Sequence, residues 1–230
     1  MVVLSGWMAP SGCPRARPGD AIVTPGEQTQ NTAQIYKGAP IAVIDIGSNS
    51  IRLVIYASSG RYPFPLFNER SNCRLGEGLG AGNMLQKERI AVSLDALARF
   101  ASIMKSMGVV KTHAVATAAV RRAVNATDFT EPAGQILGQP ITVLSQSDEA
   151  HHVSRGLTLN MPQATGYVAD LGGGSLEIVG LESGKMQHST SFNFGHLSEV
   201  GRDEIEAAMK SVPWLAEGCH SALYGVGGSF

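Results

Sequence analysis

Two short stretches of this chain carry the residue types that phosphate chemistry needs. Asp170-Leu171-Gly172-Gly173-Gly174-Ser175-Leu176-Glu177 and Asp45-Ile46-Gly47-Ser48-Asn49-Ser50 each set an acid and a run of small residues between apolar segments. Apolar runs around so tight a turn predict two strands joined by a hairpin. Glycines let successive backbone N–H groups converge without Cβ interference, which suits a phosphate. An acid at the end of the first strand is suited to hold a hydrated Mg²⁺ against that phosphate. Either hairpin alone reads more readily as an ordinary glycine turn with no ligand. Two in one chain read as opposite walls of a clamp around a polyanion.

A third acid stands apart from the hairpins. Ser145-Gln146-Ser147-Asp148-Glu149 opens a helix expected to run to about Thr158, which puts Glu149 in the first turn. The helix dipole there favours an ionised carboxylate, a useful property in a residue that accepts or orients a proton. Arg121 and Arg122 are sequence neighbours whose side chains diverge, so at most one is expected to enter a site. His151 and His152 are likewise neighbours rather than an i, i+4 pair, and they predict no metal site.

The elements that must position these residues are legible from periodicity. Strands are expected over Ile41–Ile44 and Ile51–Ala57, with a third over Phe64–Arg74. Ile90, Leu94, Leu97, Ala101 and Met104 recur at helical spacing, predicting an amphipathic helix from Lys87 to Met107 that Gly108 stops. A strand follows at His113–Thr117, a helix start at 125–128 and a strand at Ile141–Leu144. Beyond the second hairpin come a strand near Met186–Phe194, a helix over His196–Ser211 and a last apolar segment from Ala222. Each hairpin thus opens a similar block, which predicts a duplicated α/β domain facing itself across one cleft.

Composition narrows the partners. Net charge is −1 over 230 residues, with both signs scattered and no basic stripe, so nucleic acid is not expected as a partner. No apolar run approaches bilayer length, and no membrane association is expected. Cys13, Cys73 and Cys219 are odd in number and far apart, which fits neither a disulfide framework nor a zinc site and suggests a cytoplasmic setting. Residues 1–40, with Pro10, Pro14 and Pro18, read as a disordered N-terminal extension.

The paired hairpins resemble the phosphate loops of the actin-like ATPase (ribonuclease H-like) superfamily. Within it, Ile44-Asp45-Ile46-Gly47-Ser48-Asn49-Ser50-Ile51-Arg52 is similar to the first signature of the exopolyphosphatase / guanosine pentaphosphatase (Ppx/GppA) family. Arg74-Leu75-Gly76-Glu77-Gly78-Leu79, Ala116-Thr117 through Arg121 to Asn125, Asp148-Glu149-Ala150 and the Asp170–Glu177 stretch match it in order and spacing. The resemblance implies an α/β fold of duplicated actin-like domains, with mixed sheets flanked by helices. It places the first domain at 41–160 and an incomplete second at 161–230.

The same resemblance implies roles. Asp45, Asp170 and Glu177 would serve a Mg²⁺ ion, with Mn²⁺ as the alternative, and Glu149 would orient or deprotonate the attacking water. Arg121 would contact phosphate. Ser48, Asn49, Ser50, Gly172, Gly173, Gly174 and Ser175 would hold the terminal phosphoryl groups. The implied reaction is release of orthophosphate from inorganic polyphosphate or from the alarmone pppGpp, and a homodimer is left open. An actin-like kinase or ATPase is the enzymatic alternative, and an alarmone-binding regulator without turnover is the non-enzymatic one. Gly225-Val226-Gly227-Gly228-Ser229 resembles the start of the superfamily's third glycine motif, so the chain is expected to be truncated relative to the family, with exposed apolar surface on its second half.

Overall fold

The structure, a computed structural model, describes residues 2–3, 38–58, 63–79, 82–216 and 222–227. The expected N-terminal extension lies outside the described residues apart from 2–3 and 38–40, as do Cys13 and Cys219.

Mixed five-stranded sheets, covered by helices, form both halves of the fold. In chain order the first sheet contains β2 (Ile41–Ile46), β3 (Ile51–Tyr56), β4 (Pro65–Ser71), β5 (Lys111–Ala116) and β6 (Thr142–Val143). Its spatial order is β4-β3-β2-β5-β6. The second sheet contains β7 (Gly166–Leu171), β8 (Leu176–Glu182), β9 (Lys185–Phe192), β10 (Leu223–Val226) and the short β1 (Val2–Val3), ordered β1-β10-β7-β8-β9. β2-β3-β4 and β7-β8-β9 are antiparallel meanders, and β5 and β10 each add in parallel to the meander's first strand. The expected duplication is present in the order and direction of four strands, β4-β3-β2-β5 matching β9-β8-β7-β10; the fifth strands differ, β6 lying parallel to β5 and β1 antiparallel to β10.

Side-chain alternation accounts for the packing. On the first sheet Ala42, Ile44, Ile46, Ile51, Leu53 and Ile55 are buried against Leu97 and Phe100 of α1 (Lys87–Ser106). Phe129 of α3 (Thr127–Leu137), which packs against α1, closes the same core. The shorter α2 (Ala118–Arg122) follows β5 directly. In the second sheet β8 is buried on both faces. Val179 and Leu181 meet Ala150 and Leu157 of α4 (Gln146–Thr158), together with Val168. Leu176 and Ile178 point the other way, toward Met209 of α5 (Arg202–Lys210) and Trp214 of α6 (Pro213–Ala216).

One connection matters most for function. α4 follows β6 of the first sheet in sequence, yet it packs against β8 and β9 of the second. Its start is fixed by a capping box: Ser145 Oγ accepts from Asp148 N at 3.1 Å, and the Asp148 carboxylate accepts from Ser145 N at 3.1 Å.

Element boundaries differ from the sequence expectation where backbone is recruited by the glycine loops. The helix expected over His196–Ser211 occupies only Arg202–Lys210. The N–H groups of His196 and Leu197 donate instead to Gly172 O at 3.1 Å and Gly173 O at 3.0 Å. The third strand ends at Ser71 rather than Arg74, because the following residues turn to bring Arg74 N and Gly76 N to Asn49 O and Ser48 O, both at 2.8 Å.

Candidate active site

Both glycine loops close in the same way. Gly47 N donates to Ser50 O at 3.0 Å and Gly172 N donates to Ser175 O at 2.9 Å, so each hairpin keeps a short, small-residue turn. The turns meet. A Cβ on Gly174 would lie 2.9 Å from Ser48 Oγ, and one on Gly173 would lie 3.2 Å from Asn49 Cβ. The close approach of the loops favours glycine here, most of all at Gly173, where a side chain would also crowd Asn49 N at 3.2 Å.

Strand register decides what faces these turns. Asp45 stands opposite Arg52 in the first hairpin, whereas Asp170 stands opposite Glu177 in the second. Asp170 and Glu177 share a sheet face with Val168, Val179 and Leu181, because alternate residues point to the same side. That is the face covered by α4, so the first turn of α4 delivers Glu149 to the same place.

The electrostatics follow from that arrangement. Glu149 is buried at 8% exposure, and its pKa is pushed up to about 7, chiefly by burial and then by the negative charge of Glu177. Arg121 opposes this: its Nη1 donates to Glu149 Oε2 at 2.7 Å and to Leu144 O at 2.9 Å. Asp170 rises to about 6 through burial, Glu177 and Asp45, in that order. Asp45 opens onto solvent, yet the surrounding protein removes enough water to raise its pKa, while Arg52 and Arg70 pull it down. Glu177 is 4% exposed and accepts from Ser191 Oγ at 3.0 Å.

These groups line one cleft of about 650 Å³. All the acids and small residues expected from the sequence reach it: Asp45, Glu149, Asp170 and Glu177, with Ser48, Asn49 and Ser50 on one side and Gly172, Gly173, Gly174 and Ser175 on the other. Arg121, expected at the phosphate, is held behind Glu149 and is not part of the cleft wall. Its Nη2 is buried without a hydrogen-bond partner among the described residues.

Two arginines that the sequence does not single out, Arg52 and Arg70, also reach the cleft. Arg52 lines the cleft while its Nε donates to Asn68 Oδ1 at 2.9 Å. Arg70, its register partner on β4, also lines the cleft and donates from Nε to Ser50 Oγ at 2.8 Å. Ser50 thereby accepts from the arginine and keeps its own O–H to donate. Only the pairing of β3 with β4 reveals Arg70. Gly227 adjoins the Asp170 carboxylate with φ +97°, where any side chain would collide with Oδ1.

The donor set suits a hard cation, being carboxylate oxygen throughout. Among the described residues, no three His, Cys, Asp or Glu side chains gather closely enough to hold an ion alone. The geometry fits a cation bound by one or two carboxylates and completed by water and substrate oxygens. Mg²⁺ favours that mode because it gives up its waters reluctantly.

Comparisons with known proteins give the family and the fold. The Ppx/GppA phosphatase family matches residues 53–199, more than half of the chain. A guanosine-5'-triphosphate,3'-diphosphate pyrophosphatase of Vibrio parahaemolyticus is 32% identical over 155 residues, covering 67% of this chain and 31% of the relative. The chain spans between 31% and 43% of the length of the curated relatives it matches. An exopolyphosphatase from Cytophaga hutchinsonii superimposes with a TM-score of 0.70 at 26% identity, covering 82% of this chain and 67% of that one. The Aquifex aeolicus PPX-GPPA enzyme gives 0.65 at 25% identity, covering 83% and 68%. The two-sheet architecture is thus the actin-like fold of these enzymes.

Proposed function

Because the chain belongs to the Ppx/GppA phosphatase family, we propose that it hydrolyses the terminal phosphoanhydride of inorganic polyphosphate or of pppGpp and releases orthophosphate. The observation that carries this reading is Glu149: a buried carboxylate with its pKa pushed up to about 7, beside Glu177 and Asp170 of the second hairpin, in one cleft with Asp45, and held by an arginine. A group with that pKa is poised near neutrality to orient or deprotonate water.

In this reading the terminal phosphoryl group lies between the two loops. Backbone N–H groups of Gly173 and Gly174 and the hydroxyls of Ser48, Ser50 and Ser175 donate to its oxygens. Water held by Glu149 attacks phosphorus, the bond to the bridging oxygen breaks, and the shortened chain leaves carrying that oxygen. The proton lost by the water passes to Glu149 and then to solvent. Asp45 and Asp170 would hold a Mg²⁺ or Mn²⁺ ion, with Glu177 acting on it through water. That ion supplies charge neutralisation on the phosphate oxygens. The leaving group is already good, so positioning and charge stabilisation supply most of the acceleration.

The test is to incubate the full chain with polyphosphate, pppGpp and ATP, with and without Mg²⁺. Metal-dependent phosphate release from polyphosphate or pppGpp supports the proposal. Turnover restricted to ATP, or tight binding without release, overturns it.

A further inference from the structure

The first sheet brings to the cleft a row of charge that the second sheet does not repeat. Register sets Asp45 on β2 opposite Arg52 on β3, and Arg52 opposite Arg70 on β4. The matching row of the second sheet is Asp170, Glu177 and Ser191. Two arginines in one cross-strand pair repel, and their side chains part. Arg52 Nε donates to Asn68 Oδ1 at 2.9 Å, while Arg70 Nε donates to Ser50 Oγ at 2.8 Å. Neither forms an ion pair with a described carboxylate. Ser191, at the position that corresponds to Arg70, donates to Glu177 rather than to its loop.

Ser50 and Ser175 close their turns alike, each carbonyl accepting from the first glycine of its loop. Among the described residues, Ser50 alone of the two has a hydroxyl that accepts from a guanidinium. A charged N–H on the hydroxyl oxygen occupies a lone pair, directs the O–H away from the arginine and strengthens it as a donor. Both residues line the acid-lined cleft.

We propose that Arg70 is a positioning residue for phosphate release, holding the Ser50 hydroxyl as a donor to the phosphoryl group being transferred. The proposal rests on the hydrolytic reading above, and it gives Arg70 a role through Ser50 with no substrate contact of its own. A hydroxyl already fixed as a donor needs no reorientation as negative charge develops on the phosphoryl oxygens, so the effect falls on kcat. Arg70 is exposed, and water screens its charge until a phosphoryl group covers the loop. The rival role is electrostatic: burial raises the Asp45 pKa, and Arg52 and then Arg70 draw it down.

The experiment is a double-mutant cycle of Arg70→Met and Ser50→Ala in the full chain, read on whichever of polyphosphate and pppGpp the wild-type chain hydrolyses. Each single variant is expected to lower kcat about tenfold with KM little changed, and the double variant to be no slower than Ser50→Ala. Losses that multiply in the double variant overturn the proposal, as does a wild-type kcat in Arg70→Met or a raised KM at unchanged kcat. A loss that saturating Mg²⁺ abolishes also overturns it and assigns Arg70 to Asp45. Should Arg70→Met lower the Tm, Arg70→Lys decides: recovery of kcat by the restored charged donor upholds the role, and a persisting loss overturns it. If the wild-type chain hydrolyses neither substrate, the hydrolytic reading fails. The same cycle is then read on equilibrium affinity for tripolyphosphate, where a coupled loss upholds the arginine–serine unit and additive losses, no loss or no binding overturn it.

Discussion

Asp170 and Glu177 occupy directly opposite positions on β7 and β8, so two carboxylates share one cross-strand pair. Like charges so placed repel, and burial deepens the cost by weakening solvation of both. The corresponding pair in the first hairpin is Asp45 with Arg52, where the charges attract. Duplicated strand pairs have therefore diverged electrostatically: one half neutralises its acid internally and the other leaves an excess of negative charge. That excess is what a cation or a proton relieves.

The first consequence is a dependence of stability on pH. Glu149 and Asp170 titrate at about 7 and about 6 in the folded chain, against ordinary carboxylate values of about 4. Between those limits the folded state retains protons that the unfolded state has released, so stability falls as pH rises. It is greatest below the unfolded values and levels off above about 7. Thermal unfolding in the absence of divalent cations should give a Tm that declines from pH 5 to pH 8. A Tm rising over that range would contradict the burial of these acids.

If the proposed cation site is correct, adding Mg²⁺ should reverse much of that decline, because a ligand that binds only the folded state stabilises it. Asp170→Asn is expected to raise the Mg²⁺ concentration needed for half-maximal phosphate release by about tenfold or more. A variant with wild-type metal dependence would remove Asp170 from the cation site.

Glu149→Gln keeps the side chain's size but cannot take a proton. Turnover should fall by about a hundredfold or more, while polyphosphate affinity measured at equilibrium stays close to wild type. Phosphate release at the wild-type rate would sink the role given to Glu149.

Arg121→Met tests whether the arginine acts through Glu149 rather than on the phosphate. Its hydrogen bond and its charge both hold the Glu149 pKa down, so their loss should move the midpoint of the pH–rate profile to higher pH. At neutral pH the freed Glu149 carboxylate is then expected to take up a proton rather than stand as a buried unpaired charge. A profile with an unmoved midpoint and only a raised KM would return Arg121 to direct phosphate contact.

Gly195→Ala probes the brace behind the second loop. A Cβ there would sit 2.4 Å from Gly172 O and 2.5 Å from Gly173 C, both backbone atoms with no rotamer to escape into. Stability should drop by about 2 kcal/mol or more, with a fall in phosphate release as the loop shifts. Unchanged Tm and turnover would mean that this contact is not maintained in solution.

The two hairpins and the position of Glu149 were legible in the sequence because they reside in short, local patterns. A hairpin of apolar strands around small residues needs only neighbouring residues to form, and an N-cap serine sets Glu149 in the first turn whatever the helix later meets. Duplication was equally readable, as one pattern written twice. Less of the chain between His196 and Gly201 could be read, since its helical appearance lost to hydrogen bonds with Gly172 and Gly173, partners more than twenty residues away.

What tertiary structure alone decided is which charges meet. Sequence put carboxylates at Asp45, Glu149, Asp170 and Glu177 and arginines at 52, 70, 74, 121 and 122, but no local rule pairs them. Strand register set Arg52 against Asp45 and Glu177 against Asp170 and brought Arg70 to Ser50. The passage of α4 onto the second sheet carried Glu149 to its acids and left Arg121 behind it. Backbone propensity acts over a few residues, whereas pairing and burial act over the whole fold. The raised pKa values of Glu149 and Asp170 therefore belong to the folded chain.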